Sequence, residues 1–495
     1  MSLRRDVLSS IFWVALSQAG NKLIAFVVQI VLARILVPAD FGVVAVATLA
    51  LDSLALFAEF GFTSALIYRK DRIPEASATA FSIVVVGGVL TTLVGVVSAP
   101  YISWFFKEPR VIPILRALSL TMLISSFGQV PLTLLAKELD FRKRAIPMVV
   151  PSVVNGMVAV PCALSGLGVW SLVAGRLASA AATSALAYAV TDWRPRWTFH
   201  WDLAREMLDY GKHIIGSQLL IFAITNVDDM FVGRILDAAA LGAYGLAYNL
   251  SNLPATQITR IVGQVMFPAL AKIQDDLERM KRVYFATMRY VSLLSVPIGV
   301  ATVVFAADFV NVVYGPKWAA AIVPLQWLGI YGLIRSIAAN MGNVFKAGGR
   351  PKWLTYIALW RLITMLLFLY PATKYYGIIG VSVLSAAVAV VDFFISAALV
   401  NRVIQATAMD YVRCLGPIFS VALLSAAAAR LLQLQFRATP HARLGFLMAL
   451  MIMVCLYAGG MWLVDRELRR EVRTGFEWVL ARNGLRFANG KQVPK

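Results

Sequence analysis

The chain contains the stretch Leu32-Ala-Arg-Ile-Leu-Val-Pro-Ala-Asp-Phe-Gly42 and, 200 residues later, the similar stretch Val232-Gly-Arg-Ile-Leu-Asp-Ala-Ala-Ala-Leu-Gly242. The arginine, the second leucine and the closing glycine recur at the same offset. Weaker similarities follow at an offset of about 210 residues, so the repeat unit spans six apolar stretches. Because six is an even number, both copies insert in the same direction. The pattern predicts two parallel six-helix bundles, an arrangement typical of transporters with a central site.

Apolar stretches continue along the whole chain of 495 residues, of which 60% are hydrophobic and only 15% charged. Soluble domains carry about 25% charged residues. Fourteen stretches are long enough to cross a membrane as helices, so the sequence predicts an all-α polytopic membrane protein. We expect four regions: the N-terminal bundle (1–200), the second bundle (201–402), two additional transmembrane helices (403–464) and a basic cytoplasmic tail (465–495).

The net charge of +20 would suggest a nucleic-acid partner in a soluble protein. Here the 46 Lys and Arg residues are distributed unevenly over alternate loops. With the N-terminus inside, thirty of them fall in inside loops or the tail and six in outside loops. Positive residues collect on the cytoplasmic side of membrane proteins. We therefore expect both termini to be cytoplasmic and no binding of nucleic acid.

Motifs for enzymatic or nucleotide chemistry are absent from the sequence. There is no G-x-x-x-x-G-K-[ST] and no H-E-x-x-H. Cys162, Cys414 and Cys455 each lie in an apolar stretch without a Cys or His at metal-binding spacing. The sequence thus predicts a carrier rather than an enzyme, with no cofactor and no metal.

Four motifs resemble a known family. They are Arg34-Ile-Leu-Val-Pro-Ala-Asp-Phe-Gly42, Asp229-Met-Phe-Val-Gly-Arg234, Ala240-Leu-Gly-Ala-Tyr-Gly-Leu-Ala-Tyr-Asn249 and Phe267-Pro-Ala-Leu-Ala-Lys-Ile-Gln-Asp275. In this order and spacing they look like the oligosaccharide flippases of bacterial exopolysaccharide export, of the colanic-acid and xanthan type. The resemblance implies the fold of the multidrug and lipid-precursor exporters. It also implies transfer of undecaprenyl-pyrophosphate-linked sugar repeats across the membrane, with membrane lipids, a polysaccharide polymerase and chain-length machinery as partners.

Several cations lie inside predicted membrane helices, where an unpartnered charge costs at least about 2.5 kcal/mol. At about 100° per residue, Gln18, Lys22 and Gln29 form a polar stripe on the first helix. A second stripe, on the second helix, comprises Thr48, Asp52, Glu59 and Thr63. Such stripes predict a water-filled interior. A pyrophosphate carries two or three negative charges, and Lys and Arg complement it. We expect a cationic, substrate-binding cavity that includes Lys22, Arg335, Arg260, Arg361, Arg176, Gln18 and Asn252. The competing interpretation is that Lys22 pairs with Glu59 or Asp52, Arg361 pairs with Asp392, and each pair only fixes helix packing.

Buried carboxylates suggest coupling of transport to a proton or sodium gradient, because burial beside other charges shifts their affinity for protons. The candidates are Asp52, Glu59, Asp228, Asp229 and Asp392. A simple counter-ion role for each remains open.

Three other functions compete with the oligosaccharide flippase. A flippase for lipid-linked peptidoglycan precursors also binds pyrophosphate. A multidrug or cation antiporter of the same fold needs an acidic or aromatic cavity, whereas the predicted set is basic. A membrane glycosyltransferase or polymerase usually places carboxylates in a long outer loop, which this sequence lacks.

Overall fold

The structure, a computed structural model, describes residues 2–58, 62–138, 140–436, 442–465 and 469–470. All regular elements in these ranges are helical. The α-helices are α1 (Ser2–Ile35), α2 (Pro38–Ala58), α3 (Phe62–Tyr68), α4 (Ile73–Phe106), α5 (Val111–Lys137), α6 (Phe141–Leu164), α7 (Val169–Ala189), α8 (Trp201–Ile235), α9 (Ala238–Ala271), α10 (Leu277–Val304), α11 (Ala306–Phe309), α12 (Ile322–Ala338), α13 (Met341–Ala347), α14 (Lys352–Ile404), α15 (Ala408–Phe436) and α16 (Ala442–Val464). A π-helical turn (Val310–Tyr314) and a 3₁₀ helix (Pro316–Ala321) connect α11 to α12.

The all-helical membrane architecture is confirmed. Eleven of the described segments are long and apolar enough to cross a membrane. One of them, the 53-residue α14, contains two of the predicted spans and is interrupted at Gly377, whose φ of 59° and ψ of −148° are not helical. Such a conformation favours glycine. Helices α8 and α9, of 35 and 34 residues, are not among the eleven, so the number fourteen stays a prediction.

Some helices differ in extent from the apolar stretches of the sequence. Helix α8 begins at Trp201, within the polar stretch 191–213 that precedes its apolar segment. Leu203, Ala204 and Met207 are buried at helical spacing, and their burial extends the helix beyond its apolar membrane segment. Helices α2 and α3 cover the apolar stretch at residues 41–67, with residues 59–61 outside the described part.

The chain divides into two compact units. The first comprises Met1–Asn249, Val310–Pro324 and Ala358–Val388, and the second comprises Leu250–Phe309, Leu325–Ile357 and Ala389–Lys495. In the first unit α1 packs on α6, α4 on α5, and α7 on both α5 and α6. In the second unit α15 packs on α10 and α16. The predicted domain boundaries follow the sequence repeat and stay a prediction.

The two repeat motifs meet at their closing glycines, within the first unit. A Cβ atom added to Gly42 would lie 2.5 Å from the carbonyl carbon of Ala238, and one added to Gly242 would lie 2.9 Å from that of Pro38. The beginnings of α2 and α9 thus approach so closely that only glycine fits at either position. The repeat detected in the sequence marks a backbone contact.

Ion pairs join the N-terminal ends of α4 and α8. Arg72 contacts Asp202 at 2.7 Å, and Arg69, just before α4, contacts Glu206 at the same distance. The hydrogen bond from the Arg72 guanidinium lowers the pKa of the Asp202 carboxyl. These pairs place the beginnings of both helices on one side, so Phe106 and Ile235, where the helices end, lie on the opposite side.

In the second unit an ion pair fixes the end of α16. Arg289 on α10 donates from Nε to Oδ2 of Asp465 at 3.0 Å, and the side chains of both residues are largely buried. Nearby, Lys281 contacts Asp410 at 2.8 Å. Most of the predicted basic tail, residues 466–468 and 471–495, lies outside the described residues.

Candidate functional site

The first unit contains a cavity of about 510 Å³. Side chains from α1, α2, α6, α7, α8 and α9 line it, so both sequence repeats contribute. Thr48 and Asp52 lie about 15 and 21 Å along α2 from its start at Pro38, as the rise of 1.5 Å per residue gives. The cavity is therefore at mid-membrane depth. Its polar lining comprises Gln29, Thr48, Asp52, Ser152, Asn155, Arg176, Ser179, Asn226, Asp229 and Asn249.

Arg176 is the cation of this lining. Its Nη1 donates a hydrogen bond to the Thr48 hydroxyl, and its charge lies close enough to interact with Asp52. The guanidinium keeps accessible surface because it faces the cavity. Since a guanidinium has five N–H donors, one bond to Thr48 leaves donors for an anionic ligand. The electrostatic interaction of Arg176 with Asp52 also means that Asp52 interacts with a cation other than the predicted Lys22.

The two adjacent acids of α8 have different surroundings. Asp229 lines the cavity. Asp228 is buried, with 6% of its surface exposed, and accepts a hydrogen bond of 2.6 Å from the Tyr244 hydroxyl. Adjacent residues on a helix point about 100° apart, so only one of the pair can face the cavity. Of the two carboxylates, Asp229 is therefore the one that faces the cavity.

Lys22 and Gln18 do not line this cavity. Asn21 faces α6, where its Oδ1 accepts a hydrogen bond from the Ser152 hydroxyl. Lys22 follows on the next helical position and is exposed, whereas Gln18 is half-buried. From the predicted stripe of polar residues on α1, it is Gln29 that reaches the cavity. A role for Lys22 in substrate binding stays a prediction.

Arg335 belongs to a polar cluster in the second unit. Its Nη1 donates to the Asn252 Oδ1 at 3.2 Å and to the Tyr331 hydroxyl at 3.1 Å, and the guanidinium lies over the Tyr331 ring. Asn252 is buried, as is Asn340 at the break between α12 and α13. The structure thus brings together Arg335 and Asn252, two of the predicted binding residues.

The described geometry does not test the roles of the remaining predicted residues. Arg361 lies in the first unit and Asp392 in the second, both half-buried on α14. Arg260 belongs to α9, but its side chain lies outside the described part, and so does the whole of Glu59. Their roles stay predictions.

Sequence reasoning missed Ser152 and Asn155 on α6, Ser179 on α7 and Asn226 on α8, which all belong to the polar lining. Ser152 and Asn155 on α6 stand at i, i+3 spacing, as do Arg176 and Ser179 on α7. Asn226 precedes Asp229 by three residues on α8. This i, i+3 spacing of polar residues could have indicated which helix faces line the cavity. The candidates were chosen by charge, however, and each pair contains at most one charged residue.

The sequence profile of the polysaccharide biosynthesis protein family matches residues 31–323, more than half of the chain. The chain belongs to this family. The matched region begins in α1 and includes every residue that lines the cavity except Ala25, Val28 and Gln29. The resemblance to polysaccharide exporters seen in the sequence motifs is confirmed.

Relatives of this chain are named for roles in polysaccharide production. The lipopolysaccharide biosynthesis protein WzxC of Escherichia coli (strain K12) is 28% identical over 356 residues, which cover 71% of this chain and 72% of that protein. The succinoglycan biosynthesis transport protein ExoT of Rhizobium meliloti (strain 1021) is 27% identical over 359 residues, covering 72% and 73%. A structure of the lipid II flippase MurJ in an inward closed conformation matches with a TM-score of 0.66 at 13% identity, covering 92% of this chain and 99% of that one. The MurJ likeness shows a shared fold.

Proposed function

We propose that this protein is a flippase that moves undecaprenyl-pyrophosphate-linked oligosaccharide repeat units across the bacterial inner membrane, for exopolysaccharide or O-antigen assembly. Membership of the polysaccharide biosynthesis family carries the proposal. The relative ExoT, a transport protein of succinoglycan biosynthesis, and the MurJ-like fold support transport rather than catalysis. The distribution of Lys and Arg supports cytoplasmic termini, and a polymerase with chain-length machinery would consume the product.

The polar cavity suits part of such a substrate. Arg176 offers charge-assisted hydrogen bonds to a phosphate oxygen. The amides and hydroxyls around it, such as Asn155, Asn226 and Ser179, complement sugar hydroxyl groups. In the second unit, the hydrogen-bonded pair of Arg335 and Asn252 offers the same chemistry. Lys22, Arg260, Arg361 and Gln18 complete the proposed binding set.

The cavity also carries two carboxylates, Asp52 and Asp229, with one cation. We infer that these acids couple transport to an ion gradient. When Asp52 gains a proton, Arg176 loses a counter-charge and its affinity for phosphate increases; release of the proton reverses this. Glu59, Asp228 and Asp392 remain further candidates, with a packing role favoured for Asp228 by its bond to Tyr244.

Reconstituted vesicles test the function. Purified protein in vesicles with lipid-linked oligosaccharide on one side should move the sugar to the other side without ATP, and faster under an imposed proton or sodium gradient. In cells, deletion of the gene should make the lipid-linked repeat unit accumulate on the cytoplasmic side. Vesicles with the same flipping rate as protein-free vesicles would refute the proposal.

Two alternatives have specific support. The MurJ fold fits a flippase for peptidoglycan precursors, and such an activity should rescue cells that lack their own precursor flippase. The paired acids of the cavity suit a cation antiporter, which should raise resistance to cationic drugs. Rescue or drug resistance without any effect on polysaccharide export would replace the proposed function by one of these.

A further inference from the structure

A second cavity, of about 570 Å³, lies where α4 and α8 end, beside the interruption of α14. Phe105 and Lys107 line it from the end of α4, Phe231 and Arg234 from α8, and Tyr370 and Lys374 from α14. All of these residues belong to the first unit. This cavity, here the end cavity, is distinct from the mid-membrane cavity, with which it shares no lining residue.

The charged residues that line the end cavity are all cations. Lys107, Arg234 and Lys374 line it, and its described lining contains no carboxylate. The nearest acids along the chain are engaged elsewhere: Glu108 binds Arg110 at 2.9 Å, and Asp237 accepts from the Ala240 amide at 2.7 Å. Three cations around one apolar-walled cavity repel each other unless an anion joins them. An anion with an apolar attachment is the complementary ligand.

The internal repeat makes Arg234 informative, because Arg34 occupies the equivalent position. The Arg34 guanidinium donates to the backbone carbonyls of Val312 and Val313. The Nη1 of Arg234 is buried, yet it has no hydrogen-bond partner among the described residues. The Arg234 guanidinium lies over the Phe105 ring, 5.2 Å from the ring centroid. A buried donor without a partner is unfavourable. The arginine of the first repeat therefore binds backbone carbonyls at Val312 and Val313, whereas the equivalent arginine of the second repeat keeps a donor available for a ligand.

Aromatic residues indicate that the end cavity opens near a membrane surface. Tyr101 and Trp104 on α4 are 72% and 76% exposed, and Tyr375 and Tyr376 on α14 are 71% and 73% exposed. Exposed Trp and Tyr in membrane helices collect at the level of the lipid headgroups. Because α4 and α8 begin on the side of the ion pair between Arg72 and Asp202, the end cavity lies on the opposite side. In the proposed topology that side faces the outer leaflet.

We propose that the end cavity binds the phosphate group of a lipid in the outer leaflet, with Arg234, Lys107 and Lys374 as its ligands and the aromatic wall against the first part of the lipid chain. The assignment to the outer leaflet rests on the proposed function. Two lipids share this chemistry: the polyprenyl pyrophosphate that emerges with the transported sugar, and the anionic glycerophospholipids of the bilayer. In the first case the cavity is an exit site that holds the carrier after translocation.

Native mass spectrometry of the purified full-length protein tests the end cavity. Undecaprenyl pyrophosphate and phosphatidylglycerol are titrated separately against the wild-type protein and against Lys107→Gln, Arg234→Gln and Lys374→Gln. Each variant should weaken binding of the recognised lipid about tenfold, since each removes one charge-assisted contact. Arg234→Lys should lose less than Arg234→Gln. The matched control is Arg110→Gln, which removes a neighbouring cation outside the cavity and should bind like wild type.

The results distinguish the two candidate lipids. They also distinguish failure of the end-cavity proposal from failure of the proposed transport function. If the variants lose binding of undecaprenyl pyrophosphate alone, the end cavity is an exit site. If they lose binding of both lipids equally, it is a general phospholipid site. A triple variant that elutes and unfolds like wild type, with unchanged binding of both lipids, overturns the end-cavity proposal. Flipping by wild-type vesicles is measured in parallel. Its absence, with lipid binding still lost in the variants, would refute the transport function and leave the cavity assignment standing.

Discussion

The contact between Gly42 and Gly242 allows a quantitative test of the fold. Replacing Gly42 by alanine places a Cβ atom 2.5 Å from the Ala238 carbonyl carbon, with the carbonyl oxygen closer still. Non-bonded carbon atoms prefer a separation of about 3.5–4.0 Å. The obstacle is backbone rather than a flexible side chain, so α2 and α9 must separate by about 1 Å where they begin. Overpacking of this kind costs about 1–3 kcal/mol.

Equilibrium unfolding of the purified protein in mixed micelles of increasing sodium dodecyl sulfate content measures this cost. Gly42→Ala and Gly242→Ala should each lower the free energy of unfolding by about 1–3 kcal/mol. The double variant should lose clearly less than the sum, because the first methyl group already separates the helices and makes room for the second. Gly245→Ala on the same α9 is the control for stability, since a Cβ there meets nothing within 4 Å.

Two results would refute this reasoning. If Gly42→Ala and Gly245→Ala unfold alike, then the helices do not approach as described. If the losses of the two alanine variants simply add, then each glycine serves a separate contact and the pairing of the repeats is wrong.

Four further predictions concern the sites and the topology. Arg176→Ala should reduce export at least tenfold at unchanged membrane level, with partial recovery in Arg176→Lys, because one charge-assisted contact is lost; export and immunoblots measure this, and full activity contradicts the phosphate role. For Arg335→Ala and Asn252→Ala, a double-mutant cycle on export rate should give a coupling of about 0.5–1.5 kcal/mol from their hydrogen bond, and zero coupling contradicts a joint role. Arg289→Ala should destabilise the protein by about 3–5 kcal/mol because it leaves Asp465 buried without its partner, whereas the exchange Arg289→Asp with Asp465→Arg should restore much of the stability; a swap no more stable than the single variant argues against the pair. An alkaline phosphatase inserted at Lys317 should be active and one at Lys346 inactive, and the reverse pattern would invert the orientation.

Much of the fold follows from the sequence because membrane helices satisfy their own backbone hydrogen bonds. An apolar stretch therefore has few alternatives to a helix, and the predicted spans coincide with described helices. The exceptions arise where helices continue beyond apolar sequence. The start of α8 is polar on its exposed face, so its helical character depends on the burial of Leu203 and Met207 and on the ion pairs of Asp202 and Glu206.

The site was less predictable, because helical phase gives a face but not the neighbours of that face. The predicted stripe of Thr48 and Asp52 on α2 does line the mid-membrane cavity. On α1 the same reasoning chose Lys22, although the cavity is reached by Gln29, two helical turns further along. The distinction between Asp228 and Asp229 depends on Tyr244, which is 15 or more residues away, so no local pattern could reveal it.

The pairing of the two glycines also bears on how the two repeats can vary. Gly42 abuts Ala238 and Gly242 abuts Pro38, and each of these four residues is 200 positions from its counterpart. A reciprocal contact of this form is what two identical subunits make across a twofold axis. In a homodimer, a substitution at such an axial position changes both subunits at once, whereas in a single chain each position can change alone. The two arginines at the repeated position, one bound to the carbonyls of Val312 and Val313 and the other facing the end cavity, illustrate that independence.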